Sequence, residues 1–427
     1  MTENEMFTRA LNLGDGWEVQ NVEFDLEAKE LCVHIRTLKG SLHTCNHCGK
    51  RGCVIQDHKK EREWRHMNFF QFKTVLIGKP PRVRCEDCKT PKVAEIPWAR
   101  ERSGYSLYFE ALMVVLAKAM PMKSVSNLLG EHDTTLWPIL HHYVDEAREE
   151  QNWEDVKRIA IDETSRAKGH TYVSLILDLD TRKVLHVADG KDQKTLLDFK
   201  GELLRKGGNP AEIEELCMDM SPSFIAGAKR YFPEVQVTFD KFHVMKIINT
   251  AVDETRRTEQ RTVAALKNSR YSWLKNEENL TPKQKEKLIA LRDEDSKTAH
   301  AYHLKLTFAK LWEQENPEAA KDFLEDWFDW ADHTPLPAMV KAAKTIRQHE
   351  EGILRWFTSN VTNGILESIN GLVQSAKRRA RGYRSTKNLK TMIYLIAGGL
   401  KLNIVDLFNE KRTKNRLEPQ PAHLTGT

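Results

Sequence analysis

The sequence predicts a multidomain α/β protein, and three features carry that prediction. Two Cys-x-x-Cys pairs sit among strand-like runs in the first hundred residues, and a stretch of helical period runs from Tyr105 to Glu149. Beyond it, apolar strands alternate with amphipathic helices, and acids stand at strand ends. The 427 residues suffice for several domains, each with a buried core. With 40% hydrophobic and 30% charged residues, wholesale disorder is excluded. No run approaches the roughly 18 apolar residues of a spanning helix; the best, ALMVVLAKAM, is short and holds Lys118. The N-terminus, MTENEMFTRALNLGDGW, lacks the basic-then-apolar pattern of a signal peptide. A cytoplasmic protein with no membrane partner is expected.

The first element is a metal module. Cys45 and Cys48 lie in CNHC, Cys85 and Cys88 in CEDC, with 36 residues between the pairs. Two intervening residues let a tight turn aim both sulfurs at one tetrahedral ion, so four thiolates and one structural Zn2+ are expected. A reducing cytosol disfavours the disulfide alternative. Cys53, His47 and His58 are either substitute ligands or surface loop residues. Upstream, WEVQNVEFDLEAKELCVHIRT reads as a β-hairpin with Cys32 as an ordinary strand residue. Between the pairs, Phe70, Phe72 and Val75 fall in one strand-like run, and Val83 leads into the second pair.

Helical spacing follows. Leu107, Ala111, Val114 and Leu116 begin one helix, and KSVSNLLG gives a second with Val125, Leu128 and Leu129 on one face, closed by Gly130. After EHD, Leu136, Ile139, Leu140 and Tyr143 mark a third. A short helix, a glycine turn and another helix match a DNA-reading helix-turn-helix as well as a plain α-hairpin. On the first reading, Thr134 and Thr135 open the recognition helix and face DNA. Pro138 is awkward beyond a first turn.

Next comes the order β-β-β-α-β-α-β. KRIAIDETS is a strand ending on Asp162; HTYVSLILDLD and RKVLHVADG follow; KTLLDFKGELLRKGG is a helix stopped by Gly207 and Gly208. ELCMDMS is a strand ending at Asp219, SPSFIAGAKRYFP a helix, and EVQVTFDKFHV a fifth strand bearing Asp240 and His243. That is the order of a ribonuclease-H-like core, in which the first and fourth strands lie side by side and parallel. Asp162 and Asp219 then meet at one edge, and such a pair needs cations to neutralise it. A third acid is supplied by NGILESINGLVQSAKRR, where Glu367 lies between Asn363 and Asn370 on a polar stripe. Two Mg2+ (or Mn2+) ions about 3.5–4 Å apart would then support phosphoryl transfer. Asp240, one strand farther out, is the rival second acid; with His243, Asn363 and Asn370 it reads better as support for the site.

Net charge is +5, yet Lys377, Arg378, Arg379, Arg381, Arg384, Lys387 and Lys390 fall within 18 residues without an acid. Subtracting those seven leaves −2 for the rest of the chain. Such a segment is a solvated helix face or a phosphate-binding one, and its place beyond Glu367 favours DNA. Tyr383 stacks on a base or packs inside.

Taken together, IDETS, DMS, DKFH and TNGILESIN, after the CNHC and CEDC knuckles and the helical segment, resemble the ISL-three family of bacterial insertion-sequence transposases. The likeness spans roughly residues 10 to 405. It implies an acid-triad (DDE) recombinase with Asp162, Asp219 and Glu367 as the triad. Also implied are recognition of terminal inverted repeats in double-stranded DNA, cleavage there, joining to target DNA, and a homodimer on DNA near the bacterial nucleoid. Two other readings stay open: a DNA-binding regulator that no longer cuts, and a nuclease without strand transfer. The 147 residues between Asp219 and Glu367 imply an all-α insertion with a core of its own, which grips DNA or a second subunit, or serves as scaffold. The expected division is a β-rich zinc ribbon with its hairpin at 1–98, the helix-turn-helix at 99–150, core at 151–245, insertion at 246–357, core with basic helix at 358–405, and a flexible tail at 406–427.

Overall fold

Thr2 caps the first helix, α1 (Glu3–Ala10): its hydroxyl accepts the Glu5 N–H, and the Glu5 carboxylate accepts the Thr2 N–H at 2.9 Å. In the computed structural model, residues 1–167, 171–275, 277–292, 296–359 and 363–405 are described, with the side chains of 167, 171, 277 and 363 excepted. The expected tail at 406–427 lies outside the described residues. Two compact units divide the chain, residues 1–147 with 401–427, and residues 148–400.

In the first unit, the expected hairpin forms from β1 (Trp17–Asp25) and β2 (Glu30–Thr37), and alternation along β2 buries Leu31, Val33 and Ile35. A second sheet is built from β3 (Leu42–His43), β4 (Cys53–His58), β7 (Pro81–Arg84) and β8 (Lys92–Val93). The 36-residue spacer therefore divides. β4 and β7 stay with the cysteines, while β5 (Arg62–Arg65) and β6 (Lys73–Gly78) cross to the first sheet, in the order β1-β2-β6-β5. β6 runs parallel to β2 and starts at Lys73, opposite Glu30. Phe70 and Phe72, expected in that strand, instead lie in the turn before it, where Phe69 and Phe72 bridge. Phe70 is 82% exposed at a φ of 54°.

Three helices follow: α2 (Leu107–Ala119), α3 (Met122–Leu129) and α4 (Asp133–Glu149). Gly130 ends α3 at φ 67°, where a side chain would be strained. The buried stripe of α3 runs through Met122, Val125 and Leu129; Leu128, expected on it, lies off it and is 60% exposed. Pro138 stands in the second turn of α4, exposed, on the side away from the buried Leu136, Ile139, Leu140 and Tyr143. Glu110 of α2 is fully buried, and its carboxylate accepts from Arg100 Nε and Nη2 at 2.6 and 2.8 Å, Ser103 Oγ at 2.6 Å and Tyr143 Oη at 2.7 Å. Four donors on one buried carboxylate tie α2 to α4 and to the preceding loop.

In the second unit, β9 (Arg158–Ala167), β10 (Thr171–Asp178), β11 (Lys183–Asp189), β12 (Glu215–Met218) and β13 (Gln236–Phe239) form one sheet in the order β11-β10-β9-β12-β13. The first three pair antiparallel; β12 lies parallel to both β9 and β13. Ile159, Ile161, Leu216 and Met218 join a core completed by Leu196, Phe199 and Leu203 of α5 (Gln193–Arg205) and Phe224 of α6 (Pro222–Tyr231). Each such burial is worth about 1.5–3 kcal/mol.

From β13 the chain enters a run of helices: α7 (Lys241–Glu259), α8 (Arg270–Leu274), α9 (Pro282–Arg292), α10 (Lys297–Ala309), α11 (Pro317–Asp332), α12 (Pro337–Gln348), α13 (Glu350–Leu354) and α14 (Trp356–Ser359). Asn316 caps α11 as expected, accepting the Ala319 N–H at 2.8 Å. The separate core expected here is not found. Val244, Ile248 and Val252 of α7 belong to one continuous cluster with both Phe239 of the sheet and Trp273, Tyr302 and Trp327 of the helices. The last two helices, α15 (Asn363–Arg379) and α16 (Thr386–Ala397), return to the sheet beside β9 and β11.

The Glu110 network gives a stability test. Glu110→Ala leaves the part-buried Arg100 guanidinium and the buried Ser103 and Tyr143 hydroxyls without their acceptor and is expected to cost about 3 kcal/mol. A denaturant melt of the full chain checks this, and a loss within experimental scatter would show that the network does not pin α2.

Candidate active site

The four cysteines of the N-terminal knuckles converge. Their ligand atoms all lie within 4.8 Å of one another, with Cys45 and Cys88 sulfurs 3.9 Å apart and Cys48 and Cys85 sulfurs 3.4 Å apart. A tetrahedron with Zn–S bonds of about 2.3 Å needs sulfurs about 3.8 Å apart, so this set fits one zinc ion. Each knuckle closes locally: Gly49 N–H donates to Cys45 O at 2.9 Å and Lys89 N–H to Cys85 O at 3.1 Å, both residues at positive φ. The Cys88 N–H holds the Cys85 thiol down to about 6, whereas desolvation pushes Cys88 up to about 12. Four thiols so close do not all ionise without a cation. Cys53 is a buried strand residue outside the cluster, His58 ends β4 exposed, and His47 Nδ1 lies 3.5 Å from the Cys88 sulfur.

The acids of the second unit are brought to one level by strand pairing. Asp162 lies within β9, opposite Leu175, and not at the strand's end as expected; the hairpin with β10 carries β9 on to Ala167. Parallel pairing sets Cys217 against Ala160 and Met218 against Phe239, so Asp219 and Asp240 follow directly at the level of Asp162. Alternation puts Ala160, Asp162 and Thr164 on the face opposite Ile159 and Ile161. The fifth strand does not reach Asp240 and His243. It ends at Phe239, because Asp240 caps α7 by accepting the Phe242 N–H at 2.8 Å, and His243 falls in the helix's first turn, its Nδ1 3.0 Å from Asp240 Oδ2.

Charge crowding is visible in the protonation of these groups. Burial, with the Asp240 charge adding to it, holds the Asp162 carboxyl above its usual range, although the Glu163 N–H donates to Asp162 Oδ1 at 2.7 Å. Burial likewise raises Glu163, against the pull of Lys191 Nζ at 3.3 Å. For His243 burial acts downward, but the hydrogen bond and charge of Asp240, with Asp162 and Asp219 behind, raise it overall. Two buried acceptors here, Glu163 Oε1 and Asn370 Oδ1, have no hydrogen-bond partner. Crowded carboxylates and orphaned oxygens are a donor set that suits hard divalent cations.

Helix α15 is fastened along β9. Asn370 Nδ2 donates to Asp162 Oδ2, Gln374 Nε2 to Thr164 Oγ1 at 2.6 Å, and Lys377 Nζ to Ser165 O at 2.5 Å. Glu367 sits one turn before Asn370, exposed. The three acids are not drawn into one cluster: among the described residues, only the cysteines gather three or more such ligand atoms within 4.8 Å. The Asn363 side chain lies outside the described residues. Arg378, Arg379, Arg381 and Arg384 are exposed. α15 ends where Gly382, at φ 93°, donates its N–H to Lys377 O at 2.9 Å. Tyr383 is half-buried, which raises its hydroxyl and accords with packing. In the first unit, Thr134 and Thr135 are exposed on the opening turn of α4.

Sequence reasoning overlooked Glu163, although it adjoins Asp162, and Lys191, which lies in the turn after β11. It also gave no hint of a cleft of about 420 Å3 between α7 and α12 that opens at Asp219 and His243. Its walls come from segments about a hundred residues apart.

Zinc loading tests the cysteine set. Elemental analysis of the purified chain is expected to give one zinc, and Cys85→Ser or Cys45→Ser should lose it and lower the thermal midpoint. Full zinc retention in both variants would remove these residues from the site.

Comparison with known proteins accords with these arrangements. Residues 159–393 match the transposase domain of the ISL3 family, 94–144 match the helix-turn-helix domain of transposase family ISL3, and 41–88 match the zinc-finger of transposase IS204/IS1001/IS1096/IS1165. The transposase for insertion sequence element IS1557 of Mycobacterium tuberculosis is 24% identical over 432 residues, covering 93% of this chain and 96% of that protein. The transposase for insertion sequence element IS1001 of Bordetella parapertussis is 25% identical over 386 residues, covering 86% and 92%. A zinc ribbon, a helix-turn-helix and a DDE domain thus follow one another along the chain, which belongs to the ISL3 family of insertion-sequence transposases.

Proposed function

We propose that Asp162, Asp219 and Glu367 are the acid triad that cuts DNA at the ends of an insertion sequence and joins the freed 3′-hydroxyls to target DNA. The observation carrying this reading is the parallel register of β9 and β12, which brings Asp219, just past β12, to the level of Asp162, with α15 clasped to Asp162 through Asn370. The order β11-β10-β9-β12-β13, three strands antiparallel and two parallel, supports a ribonuclease-H-like core spanning 151–245 and 358–405, interrupted by a helical insertion over 246–357.

Two hard divalent ions, magnesium or manganese, held by the three acids would activate a water or 3′-hydroxyl and stabilise the departing oxygen. The chain's own task is positioning. Asn370 orients the Asp162 carboxylate, and Asp240 and His243 brace the edge beside Asp219. Lys377 holds α15 on β9, while the exposed Arg378, Arg379, Arg381 and Arg384 meet DNA phosphates. The zinc ribbon keeps 1–98 folded, and Thr134 and Thr135 carry α4 into DNA within 99–150. Terminal inverted repeats are read there, and bringing two ends together calls for a homodimer on DNA at the bacterial nucleoid, in the cytoplasm.

Cleavage of duplex carrying the sequences that flank the gene, in magnesium, is the test. Asp162→Asn, Asp219→Asn and Glu367→Gln should each lower cleavage by about 10^3-fold or more while gel-shift binding persists. Asp240→Asn, which only loosens the support, should cost about 10–100-fold. A wild type that binds those ends and never cuts would make the chain a regulator, and cutting without joined product would make it a nuclease. Separately, Arg378→Ala and Arg381→Ala should each reduce the slope of log affinity against log salt by about 1, and an unchanged slope would remove them from the DNA path.

A further inference from the structure

We propose that the cleft between α7 and α12 takes one nucleotide, unstacked from the duplex beside the phosphate being cut. This rests on the DNA-cleavage reading above. Asp219 is at once one of the proposed catalytic acids and part of the cleft wall, so whatever fills the cleft adjoins the reacting phosphate. At about 420 Å3 it has the capacity of a small-molecule site, about 300–1,000 Å3, and is far too small for a duplex.

Its chemistry changes along its length. The walls are apolar, from Met220 and Pro222 on one side, Ile247 and Ala251 of α7, and Ala338 and Ala342 of α12. Such a lining suits the faces of a base and offers nothing to a hydrated backbone. Lys191, Lys246 and Lys341, all exposed, line it as well. Lys191 pairs with Glu163, but Lys246 and Lys341 are exposed and have no ion-pair partner among the described residues. Exposed cations beside a less exposed, largely aliphatic wall match a nucleotide, its phosphate on the lysines and its base on the wall. Thr250 and Thr345 spend their hydroxyl protons on Lys246 O and Lys341 O, at 2.8 and 3.0 Å. With Glu254 they present acceptors only, which suits a base edge bearing an amino group. Extrusion of a base costs a few kcal/mol, offset here by burial against the apolar wall.

The test uses the full chain and duplex carrying the element ends, with 2-aminopurine placed in turn at the two positions on either side of the cut, and calcium to hold back cleavage. One position should brighten several-fold on binding. Apart from His243, the lining has no aromatic ring to quench a base that has left the stack. Ala338→Phe, which fills the cleft, and Lys341→Ala, which removes a cation without touching the core, should each abolish most of that rise. Both should slow cleavage about tenfold, with gel-shift binding and thermal midpoint little changed. A mismatch at the bright position should restore cleavage to Lys341→Ala, since unpairing is then already done. Cleavage by wild type with all four positions dark would overturn this inference and leave the triad standing, as would a rise that survives Ala338→Phe. Specific binding with neither brightening nor cleavage in magnesium would overturn the triad reading first and this one with it.

Discussion

The register between β9 and β12 is the constraint on which the second unit depends. β12 is only four residues long, and slipping it by one would turn Asp219 toward the α5–α6 core. Arg158 and Glu215, opposite each other at the base of the pair, prevent that slip. Arg158 Nε donates to Glu215 Oε2 at 3.0 Å, Thr238 Oγ1 of β13 donates to Glu215 Oε1 at 2.9 Å, and Glu215 is 6% exposed. Glu215 is buried and Arg158 about a third exposed, so parting them leaves a buried carboxylate short of a donor, a cost of about 1–3 kcal/mol that opposes the slip. One polar stitch thus crosses three strands on the same face as the acids and two residues below Ala160 and Cys217. The carboxylates above are placed by a contact that touches none of them.

Asp240 follows the last residue of β13 and caps α7, so the helix leaves the sheet with its first turn at the acid level. Val244, Ile248 and Val252 belong to one core cluster with both Phe239 and Trp273, so buried apolar packing runs on from the sheet into the helices. Gly352 of α13 lies so close to the Phe239 ring that a Cβ there would come within 2.6 Å. Returning helices therefore clamp the end of β13 directly. A cleft between α7 and α12 inherits this rigidity and stands formed beside Asp219, which lowers the ordering cost of filling it.

Much of this was legible in the sequence because its signals are local. Cysteine spacing announced the ribbon, a capping Asn316 announced α11, and the pattern of strands and helices gave the sheet order with Asp162 beside Asp219. What stayed hidden depends on tertiary pairing. Nothing in FFQFKTVLIG says that β6 pairs with β2 outside the ribbon, or that Phe70 is left exposed in a turn. Asp240 followed an apolar strand and read as part of it, although an Asp before a helical stripe is equally a cap. Tryptophan abundance suggested an independent core, whereas burial along α7 joins two regions that composition treats separately. Leu128 was placed by counting apolar residues, and the docking stripe through Val125 and Leu129 leaves it out.

The cysteine set and the proposed acid triad of this chain differ for a reason that lies in their connectivity. Each cysteine pair is held by a turn of a few residues, so the knuckles arrive shaped and only two strands must meet for four sulfurs to come together. Soft thiolates in a closed shell leave no place for another ligand, as a structural ion requires. The acids come instead from β9, from the end of β12 and from a helix 148 residues beyond Asp219, and the helix touches the strand through Asn370 while Glu367 stays exposed. Closing that set early would bury three charges with nothing to offset them, at a cost that rises steeply as water leaves. Asn370, a neutral donor, bonds Asp162 Oδ2 instead, and Glu367, one turn earlier on the same helix, stays in solvent.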